Sequence, residues 1–359
     1  MPVRIFELDG LRAVAICLVV LSHYFAQLSF QGKAAVAPLL RFGWSGVDLF
    51  FVLSGFLVAS ILLRQCHSPS FLVTFYWRRF WRLMPLYYTF ILLSYLVMQW
   101  VGRHNTYWFM RPYLFHWQPY SFAFEKWRRY HFLSVTWSLG IEEYFYLVAP
   151  SVLVLLSRKN AARLCVVLLL ALPIVRLWMA SQPQWDRMST IFRLDGLVVG
   201  VWIALAKFSG WKIRTAIVKP VWVVVAAIVF FCQWNPFQTD FGLVGLVGFF
   251  YSVVALFYGL TLLLVLSDEP LVRVRAVLRA PAVVYIGRIS YGIYLLHLIL
   301  YFSVTRHFND YGVGISCLCL GVTFLLAAVS WEFFEKPLIE WSRRKTLPAL
   351  IRNNSYATL

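Results

Sequence analysis

Hydrophobic residues in this sequence run in long unbroken blocks, and short basic stretches separate them. About ten windows of mostly apolar residues can be placed, at 11–30, 44–63, 83–101, 141–157, 164–181, 195–208, 220–234, 243–266, 285–304 and 312–332. Nearly all have the length of a helix that crosses a hydrocarbon layer; 195–208 is short enough to be tilted, extended or partly re-entrant. Strands of a transmembrane barrel alternate apolar and polar positions over about ten residues, and these blocks do not alternate. The pattern predicts an all-α polytopic protein of about ten transmembrane helices.

Composition sharpens this picture. Of 359 residues, 61% are hydrophobic and only 13% are charged, far from the balance of a water-soluble domain. A formal charge of +18 would suit nucleic acid if it were gathered in one domain, but the basic residues sit in clusters between apolar blocks. They read as topology signals and contacts to membrane lipid head groups, with no nucleic-acid partner. With the N-terminus inside, about two thirds of the 33 Lys and Arg residues fall on cytoplasmic segments, which predicts both termini in the cytoplasm of a multi-pass protein of the cell membrane.

The six cysteines, at 17, 66, 165, 232, 317 and 319, have neither zinc-ligand nor disulfide-framework spacing, so no metal and no structural disulfide is expected. The first apolar segment is expected to stay, because the nearest small-residue cleavage site, Ala35-Val36-Ala37, lies well beyond its end. The outer loop at 102–134, rich in Trp, Tyr, His and Arg, fits a membrane interface; stacking on sugar rings is the alternative. Residues 1–340 read as one membrane domain and 341–359 as a short cytoplasmic tail.

Candidate chemistry lies in the polar residues that lipid should forbid. Arg12 and His23 are eleven residues apart, three helical turns plus about 20°, so they share one face with a separation of roughly 16 Å. Ionisable groups at that depth are costly unless they line a polar interior. His297 lies at a similar depth in the ninth predicted span. Asp48 stands at the outer end of the second span among Gly43, Gly46, Ser54 and Gly55, where small residues would let helices pack closely and hold it inside; an interfacial aspartate is the alternative. Ser138 and Glu142 are one turn apart at the start of the fourth span, close enough to hydrogen-bond, and Glu143 follows. Asp195 opens the sixth span beside Gly196 and Gly200. Arg78, Arg79 and Arg82 form a fork ahead of the third span that suits a phosphate, although a stop-transfer anchor on anionic lipid needs no more than the same residues.

Taken together the motifs resemble the acyltransferase 3 family of integral membrane O-acyltransferases. The likeness rests on Leu8-Asp9-Gly10-Leu11-Arg12 with ten residues to His23, on Gly46-Val47-Asp48-Leu49-Phe50-Phe51 with Ser54-Gly55, and on Arg78-Arg79-Phe80-Trp81-Arg82. It continues through Trp137-Ser138-Leu139-Gly140-Ile141-Glu142, Ser290-Tyr291-Gly292-Ile293-Tyr294-Leu295-Leu296-His297 and Glu335-Lys336-Pro337, so it spans essentially the whole sequence.

The resemblance implies ten helices, a donor of acyl-coenzyme A (acetyl in the family's more common case) bound from the cytoplasm, and transfer to a hydroxyl of a carbohydrate or lipid-linked saccharide. It marks Arg12 and His23 as the functional pair, Arg78, Arg79 and Arg82 as the basic motif, and Glu142 as the acidic position. Some relatives append a soluble hydrolase-like domain that this sequence does not carry, so a second transfer step outside would need a partner. His23 would serve as general base or take the acyl group covalently, and spacing does not separate the two. Glu142 first, then Asp48 or Asp195, would orient the imidazole or bind acceptor hydroxyls, and Ser138 and His297 are further candidates for the acceptor or the support of the site. The competing class is a proton-coupled transporter or flippase, in which His23, His297 and the outer carboxylates would relay protons.

Overall fold

The computed structural model describes residues 5–25, 40, 42–65, 71–100, 107–117, 133–180, 193–234, 244–267, 271–308 and 312–354. Most of the loop at 102–134, the far end of the first predicted span and the Ala35–Ala37 site lie outside the described residues. The helices are α1 (Phe6–Phe25), α2 (Gly46–Gln65, entered through a 3₁₀ turn at Gly43–Ser45), α3 (Phe71–Trp100), α4 (Tyr107–Leu114), α5 (Thr136–Leu155) and α6 (Arg158–Ala180). They continue as α7 (Asp195–Phe208), α8 (Thr215–Trp234), α9 (Val244–Leu266), α10 (Val272–Arg279), α11 (Pro281–Phe308), α12 (Val313–Ser330) and α13 (Lys336–Asn354), the last two joined by a π-helical turn at Trp331–Glu335.

Among the described residues, nine helices are long and apolar enough to cross a membrane. The sixth predicted span, α7, is 14 residues long, about 21 Å at the helical rise, and most of it is buried between α2, α6 and α9. Large apolar side chains exposed on the bundle, such as Leu92 and Leu96 on α3, Leu147 on α5, Leu170 on α6, Phe230 on α8 and Leu325 on α12, mark the surface that lipid would cover. The interior is built by α1, α2, α7 and α11, whose facing side chains are almost wholly excluded from solvent.

Without a hydrophobic difference between lipid and side chain, helices in a membrane gain most from close backbone approach, and small residues provide it. A methyl group on Gly55 of α2 would lie 2.1 Å from the Leu197 carbonyl oxygen of α7, and one on Gly200 would lie 2.2 Å from that of Val52. These are the glycines whose spacing predicts close packing around Asp48 and Asp195. Gly287 brings α11 onto α1 in the same way: its added methyl would stand 1.9 Å from the Asp9 carbonyl oxygen.

Two elements differ from the apolar pattern. The basic stretch around Arg78 is the first part of α3 itself, because Phe71, Thr74 and Phe75 bury one face of that turn and extend the helix well ahead of residue 83. The short basic α10 is a separate helix that caps the start of α1, where Arg279 pairs with Glu7 at 2.6 Å and Leu278 rests on Gly10.

Gly287→Ala should therefore destabilise the folded protein by about 3 kcal/mol or more, since backbone blocks backbone at the crossing. Gly321→Ala, with open space around the added methyl, should change stability by only about 0.5 kcal/mol. Thermal midpoints and monodisperse yield in detergent check both.

Candidate active site

The site is built around two imidazoles that α1 and α11 bring face to face. His23, in the last turn of α1, has its Nδ1 3.0 Å from Nε2 of His297, and the rings lie 5.0 Å apart. His297 has no exposed surface, and its Nδ1 is 2.6 Å from the backbone oxygen of Tyr294. A carbonyl oxygen can only accept, so the proton of a neutral His297 sits on Nδ1 and its Nε2 carries a lone pair. That lone pair accepts from Nδ1–H of His23, which leaves Nε2 of His23 as the unprotonated ring nitrogen. One backbone carbonyl thus sets the tautomer of both rings.

The surroundings hold this arrangement. Tyr24, next to His23, donates its hydroxyl to the His297 carbonyl at 2.7 Å, and Tyr294 is anchored by Ser138 at 2.7 Å and by the Val135 carbonyl at 2.9 Å. The expected bond between Ser138 and Glu142 does not form. Ser138 faces α11 and is taken by Tyr294, whereas Glu142 faces α2 and accepts from Ser54 at 2.6 Å and from Tyr146, one turn on, at 3.0 Å. The two side chains turn to different neighbouring helices, so they do not meet.

Nearer the start of α1, Arg12 donates to Ser290 at 3.2 Å and to the Gly287 carbonyl at 3.3 Å, both on α11. Its guanidinium lies over Phe50, whose ring is 6.4 Å from Tyr294. Arg12 and His23 therefore meet α11 two turns apart, with Phe50 and Tyr294 between them. Arg79 stacks on Tyr146 at 4.0 Å, and Arg82 stands within electrostatic range of both Arg12 and Arg79. Arg78 instead lies within electrostatic range of Arg343 of α13. The predicted three-arginine fork is thus split: Arg79 and Arg82 are grouped with Arg12, and Arg78 with the last helix.

Asp48 and Asp195 are committed to buried ion pairs. Asp48 pairs with Arg193, and Asp195 takes both terminal nitrogens of Arg176, at 2.5 and 3.0 Å, along with the Ser252 hydroxyl at 2.7 Å. Neither carboxylate meets His23, whose imidazole is oriented by His297 instead. Sequence reasoning missed Arg176 and Arg193 as partners. Arg176 carried the available signal, a cation inside an apolar window that demands a carboxylate at its own depth.

Among the described residues no group of His, Cys, Asp and Glu side chains could hold a metal ion. The chemistry on offer is that of a lone-pair nitrogen inside the helix bundle, a carboxylate held by two hydroxyls, and three guanidinium groups.

Helices long and apolar enough to cross a membrane enclose this site. The chain belongs to the acyltransferase family whose domain matches residues 5–332. It is 26% identical to the peptidoglycan O-acetyltransferase OatA of Listeria monocytogenes, an alignment that covers 92% of this chain and 55% of OatA. It is 28% identical to YrhL of Bacillus subtilis over 92% of this chain and 54% of that protein. The chain thus spans little more than half the length of these relatives. No solved structure matches it.

His297→Ala should lower kcat by about 100-fold while the donor KM changes little, because the variant removes the acceptor that fixes the tautomer of His23. Tyr294→Phe keeps the accepting carbonyl and should cost about tenfold or less. Steady-state kinetics on detergent-purified variants check both.

Proposed function

We propose that this protein moves an acetyl group from acetyl-coenzyme A, bound from the cytoplasm, to a hydroxyl of a glycan, with residues 1–340 acting as one domain of the cytoplasmic membrane and both termini in the cytoplasm. The observation that carries this reading is the free Nε2 of His23, made basic by a tautomer that His297 and the Tyr294 carbonyl dictate together. In the reaction Nε2 would accept the acceptor's hydroxyl proton as its oxygen attacks the thioester carbonyl. The C–S bond then breaks, and the departing thiolate leaves as free thiol on taking up that proton. Positive charge that develops on His23 would be shared through Nδ1–H with His297, which favours the general-base role.

Arg12, Arg79 and Arg82 support the donor assignment. Three guanidinium groups within reach of one another repel unless anions lie among them. Glu142, Glu143 and Asp9 balance them in part, and the phosphates of a coenzyme would complete the balance. The acceptor class is supported by the name of the relative OatA, which acts on peptidoglycan. The lysine and arginine bias supports the orientation.

Purified protein in detergent, with no ion gradient, should release free thiol from acetyl-coenzyme A when an acceptor glycan is added, and His23→Ala should abolish that release while leaving a folded protein. Near-normal acylation by the folded variant would refute the role of His23. Arg82→Gln should raise the donor KM about tenfold with the acceptor KM unchanged, and an acceptor-only effect would contradict the coenzyme assignment.

A further inference from the structure

The outer half of the bundle holds two buried Arg–Asp pairs, and they are not equivalent. Arg176 has both terminal nitrogens engaged by Asp195 and Ser252, so that pair is closed. Arg193 is different. Its guanidinium lies 4.3 Å from the Tyr251 ring centre and 5.1 Å from each of Trp44 and Trp137, and it pairs with Asp48 through one terminal nitrogen. The Arg193 side chain is only 10% exposed, yet its Nε–H has no hydrogen-bond partner among the described residues.

A guanidinium offers five N–H donors, and a buried donor left without an acceptor is costly enough that native structures rarely keep one unless a ligand or water completes it. Here an unfilled donor is surrounded by indole and phenol rings, with Trp44 and Trp137 each only partly buried. Flat aromatic faces that can take C–H groups, next to a planar arginine and a carboxylate that can read hydroxyls, are the chemistry that recognises a sugar ring. The position suits a second substrate. Arg193 is within electrostatic range of Tyr294, whose ring is 5.7 Å from that of His297, the partner of His23.

We propose that Trp44, Trp137, Tyr251, Arg193 and Asp48 form the acceptor subsite, which takes a neutral pyranose ring against the indoles and hydrogen-bonds its hydroxyls to Arg193 and Asp48. This rests on the acyl-transfer reading above, in which the acceptor reaches His23 from the side opposite the donor. Asp48 then acts on the acceptor through a pair with arginine and not as an orienter of the imidazole.

The test is kinetic, on the purified full chain with acetyl-coenzyme A and a panel of neutral pyranosides that includes oligomers of N-acetylglucosamine. The acceptor that best stimulates thiol release in the wild type is used throughout. Arg193→Lys, which keeps the charge opposite Asp48 but loses the planar fork, and Trp44→Leu should each raise the acceptor KM about tenfold, with the donor KM within about twofold of wild type. Trp44→Phe should restore the acceptor KM to within about threefold. If Arg193→Lys does not yield folded protein, Trp44→Leu with its Phe rescue carries the test.

An unchanged acceptor KM in folded Trp44→Leu overturns the subsite, as does a parallel rise in both KM values, which is what a merely structural role would produce. A wild type that releases thiol with non-carbohydrate hydroxyls but with no pyranoside overturns the subsite and leaves acyl transfer standing. A wild type that releases none with any acceptor overturns both.

Discussion

A neutral imidazole buried in a helix bundle must place its one N–H on an acceptor, because a buried donor left unpaired is costly, and this constraint orders the site. His297 satisfies it with the carbonyl three residues earlier on its own helix. The choice fixes which nitrogen is left to face His23, and through that bond which nitrogen of His23 is left bare. The bare nitrogen is therefore specified by a backbone carbonyl and by the helix crossing that brings α1 to α11. A slip of one residue at that crossing would break the pair.

The same constraint accounts for the rest of the polar interior. Four carboxylates described above each have a partner outside their own helix: Glu7 with Arg279, Asp48 with Arg193, Asp195 with Arg176, and Glu142 with Ser54. Such pairs are weak sources of net stability, since desolvation offsets much of the attraction, but removing one partner strands a charge and is costly. They lock the relative register of helices that the apolar surface alone would allow to slide. The glycines at the α2–α7 and α1–α11 crossings do the complementary work, because they let backbones approach closely enough for short side chains to meet.

Much of this was legible in the sequence. Hydrophobic block lengths reveal the all-α spanning architecture, and the short window at 195–208 already marks α7 as the exception. Small residues around Asp48 and Asp195 point to close packing, and two histidines at similar depth point to a shared interior. What periodicity could not supply is pairing across distant segments. His23 and His297 are 274 residues apart, and Asp48 and Arg193 are 145 apart. Spacing along one helix suggested a bond between Ser138 and Glu142, but each turns to a neighbouring helix whose position no local pattern encodes. The division of Arg78 from Arg79 and Arg82 has the same origin, since only the docking of α13 beside α3 decides which face each arginine meets.

Where the protons sit on the two rings is read directly by solid-state ¹⁵N NMR of histidine-labelled protein in lipid at neutral pH, with His23→Ala and His297→Ala used to assign the signals. Both rings should be neutral and carry the proton on Nδ1, with Nε2 of His23 at the shift of an unprotonated nitrogen. A His23 ring protonated on Nε2, or one with no coupling to His297, would overturn this placement of the protons.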